Sequence, residues 1–295
     1  MNTQQLRVKY NNEWPNKFLF DVEKQLTDKL NNLGLKVINV VKLKENDDNN
    51  FQTYLGYLID SLDMLPLRPD FAFDNIWKAL DAEFFVIQNE LNQNNTSRFD
   101  AFIDEILINV NVSTAFIKYL NVIPEQTCKY AAKRIIESSL KENNNQETLY
   151  RRAQSSLSES FINEFVNKYP PSSNKKPIAG DLRNAGKLLK KVFNKEKISL
   201  NGVDYTFNDN SLIKFLLKIV LANYRNERFH GAVFSPFRSS TATLDTYAHA
   251  YFLFHLSYAL LLDVFLYREY EVTTIEEVNK YIDKNIDIYS KLFQK

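Results

Sequence analysis

The sequence predicts an all-α fold. Apolar residues recur at helical spacing through most of the 295 residues, the apolar runs stop at prolines, glycines or asparagine-rich stretches, and strand patterning is confined to two short pieces. With 44% hydrophobic residues, the chain has material for a well-buried core in one or two domains.

Residues 17–33 carry apolar side chains at helical spacing and end at Gly34, a fitting C-terminal cap. Residues 36–43 are β-branched enough for a short strand before the polar tip at 45–50. A helix over 52–65 is stopped by Pro66 and Pro69. Asp70 then stands where an N-cap belongs, opening a helix over 71–91 with Phe73, Ile76, Trp77, Leu80 and Phe84 on one face. Further helices are expected over 98–120, 125–140 and 147–169, the last broken by Pro170 and Pro171. The stretch 170–177, rich in Pro, Ser, Asn and Lys, is the best linker, and a helix over 181–193 follows it. Residues 198–207 read as a hairpin, because Asn201-Gly202 sits between two short alternating runs and both central positions of a primed turn need positive φ. Helices over 210–228, 243–270 and 275–293 complete the chain. The expected organisation is an N-terminal helical extension over 1–65 and a helical bundle over 66–295 that carries the hairpin as a small insertion.

Three histidines and one cysteine exclude disulfide scaffolds, multi-cysteine zinc sites and thiol redox pairs. No metal and no cofactor are expected. Residues 1–10 are polar where a secretory signal would be apolar, which leaves a cytoplasmic address as the default. The run 247–267 is long enough to span a bilayer, but His249, His255 and Asp263 interrupt it and its aromatics are not confined to its ends, so it reads as a buried central helix and no membrane contact is expected. The net charge of +1 argues against a surface that is basic throughout. Within 175–197, however, eight Lys and Arg residues face only Asp181 and Glu196, a net +6 in a chain whose total is +1. Lys187, Lys190 and Lys191 in this stretch are candidate contacts for an RNA backbone, with a solvated helix face as the competing reading.

Over 210–228, an advance of about 100° per residue brings Ile213, Leu216, Leu217, Val220, Leu221 and Tyr224 to one apolar face. Lys214, Lys218 and Arg225 then form a cationic stripe at its edge. Asn226 and His230 are four apart and would be neighbours if helix continued that far. The segment ends Arg225-Asn-Glu-Arg-Phe-His-Gly231, at a helix C-terminus where carbonyls favour a protonated imidazole. A histidine that titrates near neutrality can move a proton at a 2′-hydroxyl or a leaving 5′-oxygen, an arginine can hold the phosphate charge, and Asn226 can orient either. Such a set suits cleavage of an RNA phosphodiester without metal. Taken by spacing alone, the better fit is a salt-bridged arginine and a capping histidine, since an Arg and a His five apart occur by chance in many proteins.

The stretch Tyr224-Arg-Asn-Glu-Arg-Phe-His-Gly231, ending an amphipathic helix and followed by a long apolar one, resembles the R-N-x-x-x-H motif of the HEPN superfamily, most of all its prokaryotic ribonuclease branch. The segment 69–80 is similar to the opening helix of several such domains, whereas 98–207 carries no motif that matches. The resemblance implies a HEPN-like helical bundle that forms a homodimer, sets two motif copies about one cleft and cuts RNA without metal in toxin–antitoxin, abortive-infection or other phage-defence settings, with an antitoxin or defence-system protein as a further partner. It maps the catalytic arginine to Arg225, its polar follower to Asn226 and the histidine to His230. Lys214, Lys218 and Arg228 are the nearby candidates for RNA contact. The superfamily also contains inactive binding members, so an RNA- or nucleotide-binding adaptor is the alternative.

Arg183-Asn184 echoes the motif but has no histidine at the required offset. His249 and His255 read as core or interface residues, with His249 the one that could approach the motif loop. Asp245 serves a helix N-terminus, and Cys128 reads as a small buried residue. Phe229, Phe234 and Phe237 flank the motif loop, where they either stack on a base or pack.

Overall fold

The computed structural model describes residues 1–92, 97–108, 114–140, 148–172, 178–231 and 234–294. Most of the linker expected over 170–177, with Lys175 and Lys176, lies outside the described residues, as does the middle of the helix expected over 98–120. The elements are, in order, α1 (Thr3–Asn12), α2 (Asp21–Leu33), α3 (Asn49–Asp63), α4 (Pro69–Glu90), α5 (Arg98–Ile108), α6 (Thr114–Lys118), α7 (Glu125–Ser139), α8 (Leu149–Ser156), α9 (Glu159–Lys168), α10 (Ala179–Phe193), β1 (Ile198–Leu200), β2 (Val203–Tyr205), α11 (Asp209–Phe215), a π-helical stretch (Leu216–Leu221), α12 (Ala222–Phe229), α13 (Leu244–Tyr267) and α14 (Ile275–Phe293). The chain is mostly helical, and among the described residues the one sheet is the two-stranded hairpin. Two compact units form: residues 1–115 with 228–295, and residues 116–227.

In the first unit α13 is the central helix. Every residue from Ala250 to Phe265 is buried, so the helix is enclosed on all sides, as an element apolar all round its circumference must be. It is the one described helix long and apolar enough to cross a membrane, and 89% of its apolar window is buried. It packs against α4 and α14, and α3 and α5 pack on α4. Its tyrosines reach the carbonyls of the Pro66 and Leu67 turn through Tyr251 and Tyr247, and Tyr289 of α14 donates to the Ala248 carbonyl at 2.9 Å. These bonds satisfy polar tips that aromatic burial would otherwise strand.

Two expectations fail in this unit. Residues 36–43 form no strand. Val37, Ile38 and Val41 are buried, but the backbone is held by side chains: the Asn39 N–H donates to Asn285 Oδ1 at 2.7 Å and the Val41 N–H to the Tyr258 hydroxyl at 2.9 Å. Asp70 is not an N-cap either. Pro69 takes the first position of α4, where a missing N–H costs nothing, and the Asp70 carboxylate, 1% exposed, accepts from Arg68 Nε and Nη2 at 3.0 and 2.8 Å.

In the second unit α7 and α10 pack closely at Gly186, where a Cβ would lie 2.6 Å from Lys129 Cγ and 3.1 Å from its backbone nitrogen. The helix expected over 147–169 is two helices, because Ser158 caps the second by accepting the Phe161 N–H at 3.0 Å. The hairpin is as expected: Ile198 pairs with Tyr205 and Leu200 with Val203, and Asn201 and Gly202 both have positive φ, 48° and 80°. Phe161 packs edge-on against Tyr205 and Phe207, anchoring the hairpin to α9. Cys128 is buried in α7.

Candidate active site

The motif helix is not one uniform helix. Between α11 and α12 the Ala222 N–H bonds to the Leu217 carbonyl five residues back, a π turn that accommodates one extra residue. Everything beyond it is set back by about one residue's rotation, roughly 100°. A uniform wheel therefore no longer fixes where Arg225 falls relative to Lys214 and Lys218; all three are half-buried. The apolar face survives: Ile213, Leu216, Leu217, Val220, Leu221 and Tyr224 are all buried, and the π turn adds Phe215 and Ile219 to them.

Arg225 and Asn226 lie half-buried on α12, and Arg225 Nη1 donates to Asn226 Oδ1 at 3.0 Å. The intervening Glu227 is an anchor in the second unit. Its carboxylate accepts from Asn223 at 2.9 Å and from the Tyr130 hydroxyl at 3.1 Å, and it pairs with Arg134. Burial pushes the Tyr130 hydroxyl up, and the Glu227 carboxylate pushes it further, so the phenol stays a donor. Burial works against the Arg134 charge, but Glu227 and Glu137 outweigh it and hold the guanidinium above its ordinary range.

Helix α12 ends at Phe229, one residue short of the histidine. His230 sits exposed in the turn that follows, where Gly231 adopts φ +64° and its N–H returns to the Arg228 carbonyl at 3.2 Å. Helix therefore does not continue through His230, the condition on which Asn226 and His230 would be i, i+4 neighbours.

Arg228 must be withdrawn as an RNA contact. Its side chain is 8% exposed, its Nε and Nη2 bond both oxygens of Asp74 at 2.8 and 2.6 Å, and its Nη1 lies 3.2 Å from Asp70. Asp70 and Asp74 are i and i+4 on α4, so one face of that helix takes up the whole guanidinium. Beside it a cavity of about 400 Å³ is lined by Phe71, Asp74, Asn75, Lys78, Arg228 and Phe229, among others.

The remaining RNA candidates belong to the second unit. Lys187 and Lys191 are exposed on α10, and Lys190 is half-buried between them. Lys129 holds the Glu125 carboxyl below its ordinary range, with Lys187 and Lys190 adding to the effect, so two of the three cations are partly offset. Lys214 and Lys218 are half-buried at the edge of the apolar face. Lys195 and Lys197 pair with Asp209 and Asp204.

His255 is buried in α13, and His249 is half-buried there. Burial pushes the imidazole of His249 down to about 4 and that of His255 down to about 3, so both are neutral groups rather than proton carriers near neutrality. Asp245 is exposed in the first turn of α13, as expected for a residue serving that terminus. Phe237 is buried and stacks on Tyr247, with ring centroids 4.1 Å apart, whereas Phe229 and Phe234 are 49% and 58% exposed. Among the described residues no three His, Cys, Asp or Glu side chains converge as a metal centre. Sequence reasoning missed the Asn223, Glu227, Tyr130 and Arg134 network. Its signal was two i, i+4 polar pairs on two helices. No known protein family, curated protein or solved structure matches the chain.

Proposed function

We propose that this chain is a metal-independent endoribonuclease of the HEPN type. The reading rests on the motif resemblance, and the observation that carries it is the exposed imidazole of His230 immediately beyond a helix on which Arg225 is bonded to Asn226. His230 takes the proton of a ribose 2′-hydroxyl as that oxygen attacks the adjacent phosphorus. Arg225 holds the charge that gathers on the phosphoryl oxygens, and Asn226 keeps the guanidinium turned to it. The bond from phosphorus to the 5′-oxygen breaks, and that oxygen leaves with a proton, giving a 2′,3′-cyclic phosphate and a 5′-hydroxyl end. A homodimer that sets two motif copies about one cleft supplies a second imidazole for the leaving oxygen. Lys187, Lys190, Lys191, Lys214 and Lys218 are the backbone contacts in this account. The setting is a cytoplasmic toxin or phage-defence effector held in check by an antitoxin or another defence-system protein.

The second reading is an adaptor that binds RNA or a nucleotide without cutting it. One observation favours it: among the described residues no hydrogen bond holds the His230 imidazole, whereas a catalytic base is commonly oriented by a partner. Incubating the purified protein with mixed RNA in EDTA separates the two. The nuclease reading expects cleavage that falls at least a hundredfold in His230→Ala and in Arg225→Ala, each removing a group of the kind worth about 10²–10⁴ in rate. Salt-sensitive binding without product, unaffected by His230→Ala, establishes the adaptor instead.

A further inference from the structure

A second cavity, of about 320 Å³ and also within the first unit, is lined by Arg7, Tyr10, Asn11, Trp14, Phe20 and Arg238. Its volume falls at the lower end of the roughly 300–1,000 Å³ found for small-ligand sites. Three features mark it as built for an occupant. Trp14 is 76% exposed, although an indole is among the side chains that gain most from burial. Arg7 lies over the Phe234 ring, 4.9 Å from its centroid, with no carboxylate beside it among the described residues. Arg238 stacks on Phe20 and Tyr10, 4.4 and 5.4 Å from their centroids, and its charge is met from beneath by Glu23, whose side chain is 1% exposed.

The charge balance follows directly. Arg238 is offset by Glu23, none of the lining residues is acidic, and Arg7 leaves the cavity with one net positive charge. The site accepts an anion and rejects a cation. The aromatic faces want a flat, apolar body, and the Asn11 amide can meet a polar edge. A planar base joined to a phosphate meets all of these demands; an acidic peptide meets only the charge. The position fits as well. Phe234, on which Arg7 rests, is four residues beyond His230, so the backbone limits their separation to roughly 14 Å.

We infer that this cavity is a nucleotide subsite, in which one base of a single-stranded RNA stacks on Trp14 and Tyr10 while Arg7 holds its phosphate. The inference rests on the ribonuclease reading for the identity of the strand. It adds the grip that keeps a flanking nucleotide in place and makes the N-terminal helix α1 part of substrate binding.

The test uses the full-length protein and a fluorescein-labelled 2′-O-methyl pentaribonucleotide, which cannot be cut because its 2′-oxygens are blocked. Fluorescence anisotropy is expected to show affinity about tenfold weaker in Arg7→Ala and in Trp14→Ala, with Trp14→Phe within about threefold of wild type because a ring remains to stack on. Circular dichroism spectra that match wild type show that these surface variants are folded. Affinity within twofold of wild type in both alanine variants overturns the subsite. So does AMP binding as tightly as the pentanucleotide, which makes it a free-nucleotide pocket, and so does displacement of the probe by an oligoglutamate peptide at equal concentration. Cleavage of ordinary RNA keeps the two readings apart. Activity lost in His230→Ala but unchanged in Arg7→Ala and Trp14→Ala leaves the nuclease standing and removes the subsite. Probe binding that needs Arg7 and Trp14, with no RNA cut, leaves the subsite standing and removes the nuclease.

Discussion

Two buried ionisable groups on the central helix give opposite pH dependences of stability, and substitution separates them. His255 is enclosed by Tyr251, Phe254 and Tyr289, and burial pushes its imidazole down to about 3 against a weaker upward pull from a hydrogen bond to the Val37 backbone. An unfolded chain protonates a histidine below about pH 6.5. As pH falls from there towards 3, the unfolded state binds a proton that the folded state refuses, and stability falls by about 1.4 kcal/mol per pH unit. Asp263, 1% exposed, behaves in the opposite sense, because burial alone raises its carboxyl well above the ordinary range. The folded state keeps a proton that the unfolded state loses near pH 4, so stability falls as pH rises from there. Above about pH 4 the two slopes oppose each other.

In His255→Phe the slope contributed by His255 is gone, while those of Asp263 and His249 remain. Relative to wild type, the variant is therefore expected to gain about 2 kcal/mol of unfolding free energy on going from pH 7 to pH 5. Asp263→Asn keeps the histidine slopes and moves the other way. A packing loss that does not depend on pH shifts both values equally and drops out, as does the contribution of His249. Trp14 and Trp77 both lie in the first unit, so urea unfolding followed by tryptophan fluorescence reads the unit that contains α13. Wild type and His255→Phe with the same difference between pH 5 and pH 7, within about 0.5 kcal/mol, would refute the buried-neutral assignment.

Arg228→Ala is expected to cost about 3 kcal/mol, low for a broken buried ion pair because Arg68 still faces Asp70, and to leave the salt dependence of RNA binding unchanged. A changed salt slope would return Arg228 to the RNA surface. Gly186→Ala is expected to lower stability by about 1–3 kcal/mol, because the new Cβ meets Lys129. Intrinsic helix propensity alone would favour alanine by about 1 kcal/mol, so a raised melting temperature contradicts the close packing of α7 on α10. Lys187→Gln and Lys191→Gln should each reduce the salt slope of single-stranded RNA binding by about 0.7, and an unchanged slope takes α10 out of the RNA path.

What sequence made legible is what local chemistry decides. The Asn201-Gly202 turn follows from two positive φ values, α14 from apolar residues at helical spacing over 275–293, and α13 from an apolar run too often interrupted to face lipid. Distant partners were not legible. The valines and isoleucine of 36–43 suit extended backbone, but what holds that backbone is Tyr258 and Asn285, more than 200 residues away. The π turn lies in Leu216–Leu221, which contains no glycine or proline, and its one polar residue, Lys218, fits a uniform helical wheel and marks no extra residue. At the candidate site, Arg225, Asn226 and His230 could be read as a pattern. The burial of Arg228 could not, because the carboxylates that take it up stand 154 residues earlier in the chain at Asp74 and nearby at Asp70. The Arg7 and Trp14 cavity is built from the N-terminal helix and a loop beyond the motif, segments with no pattern in common.

End-group analysis of the cleaved RNA tests the central claim most directly. Transfer through the 2′-oxygen, with His230 moving the proton, must leave a 2′,3′-cyclic phosphate on one fragment and a 5′-hydroxyl on the other, in EDTA as in magnesium. Fragments ending in a 3′-hydroxyl and a 5′-phosphate, or products that persist at full yield in His230→Ala, would contradict it.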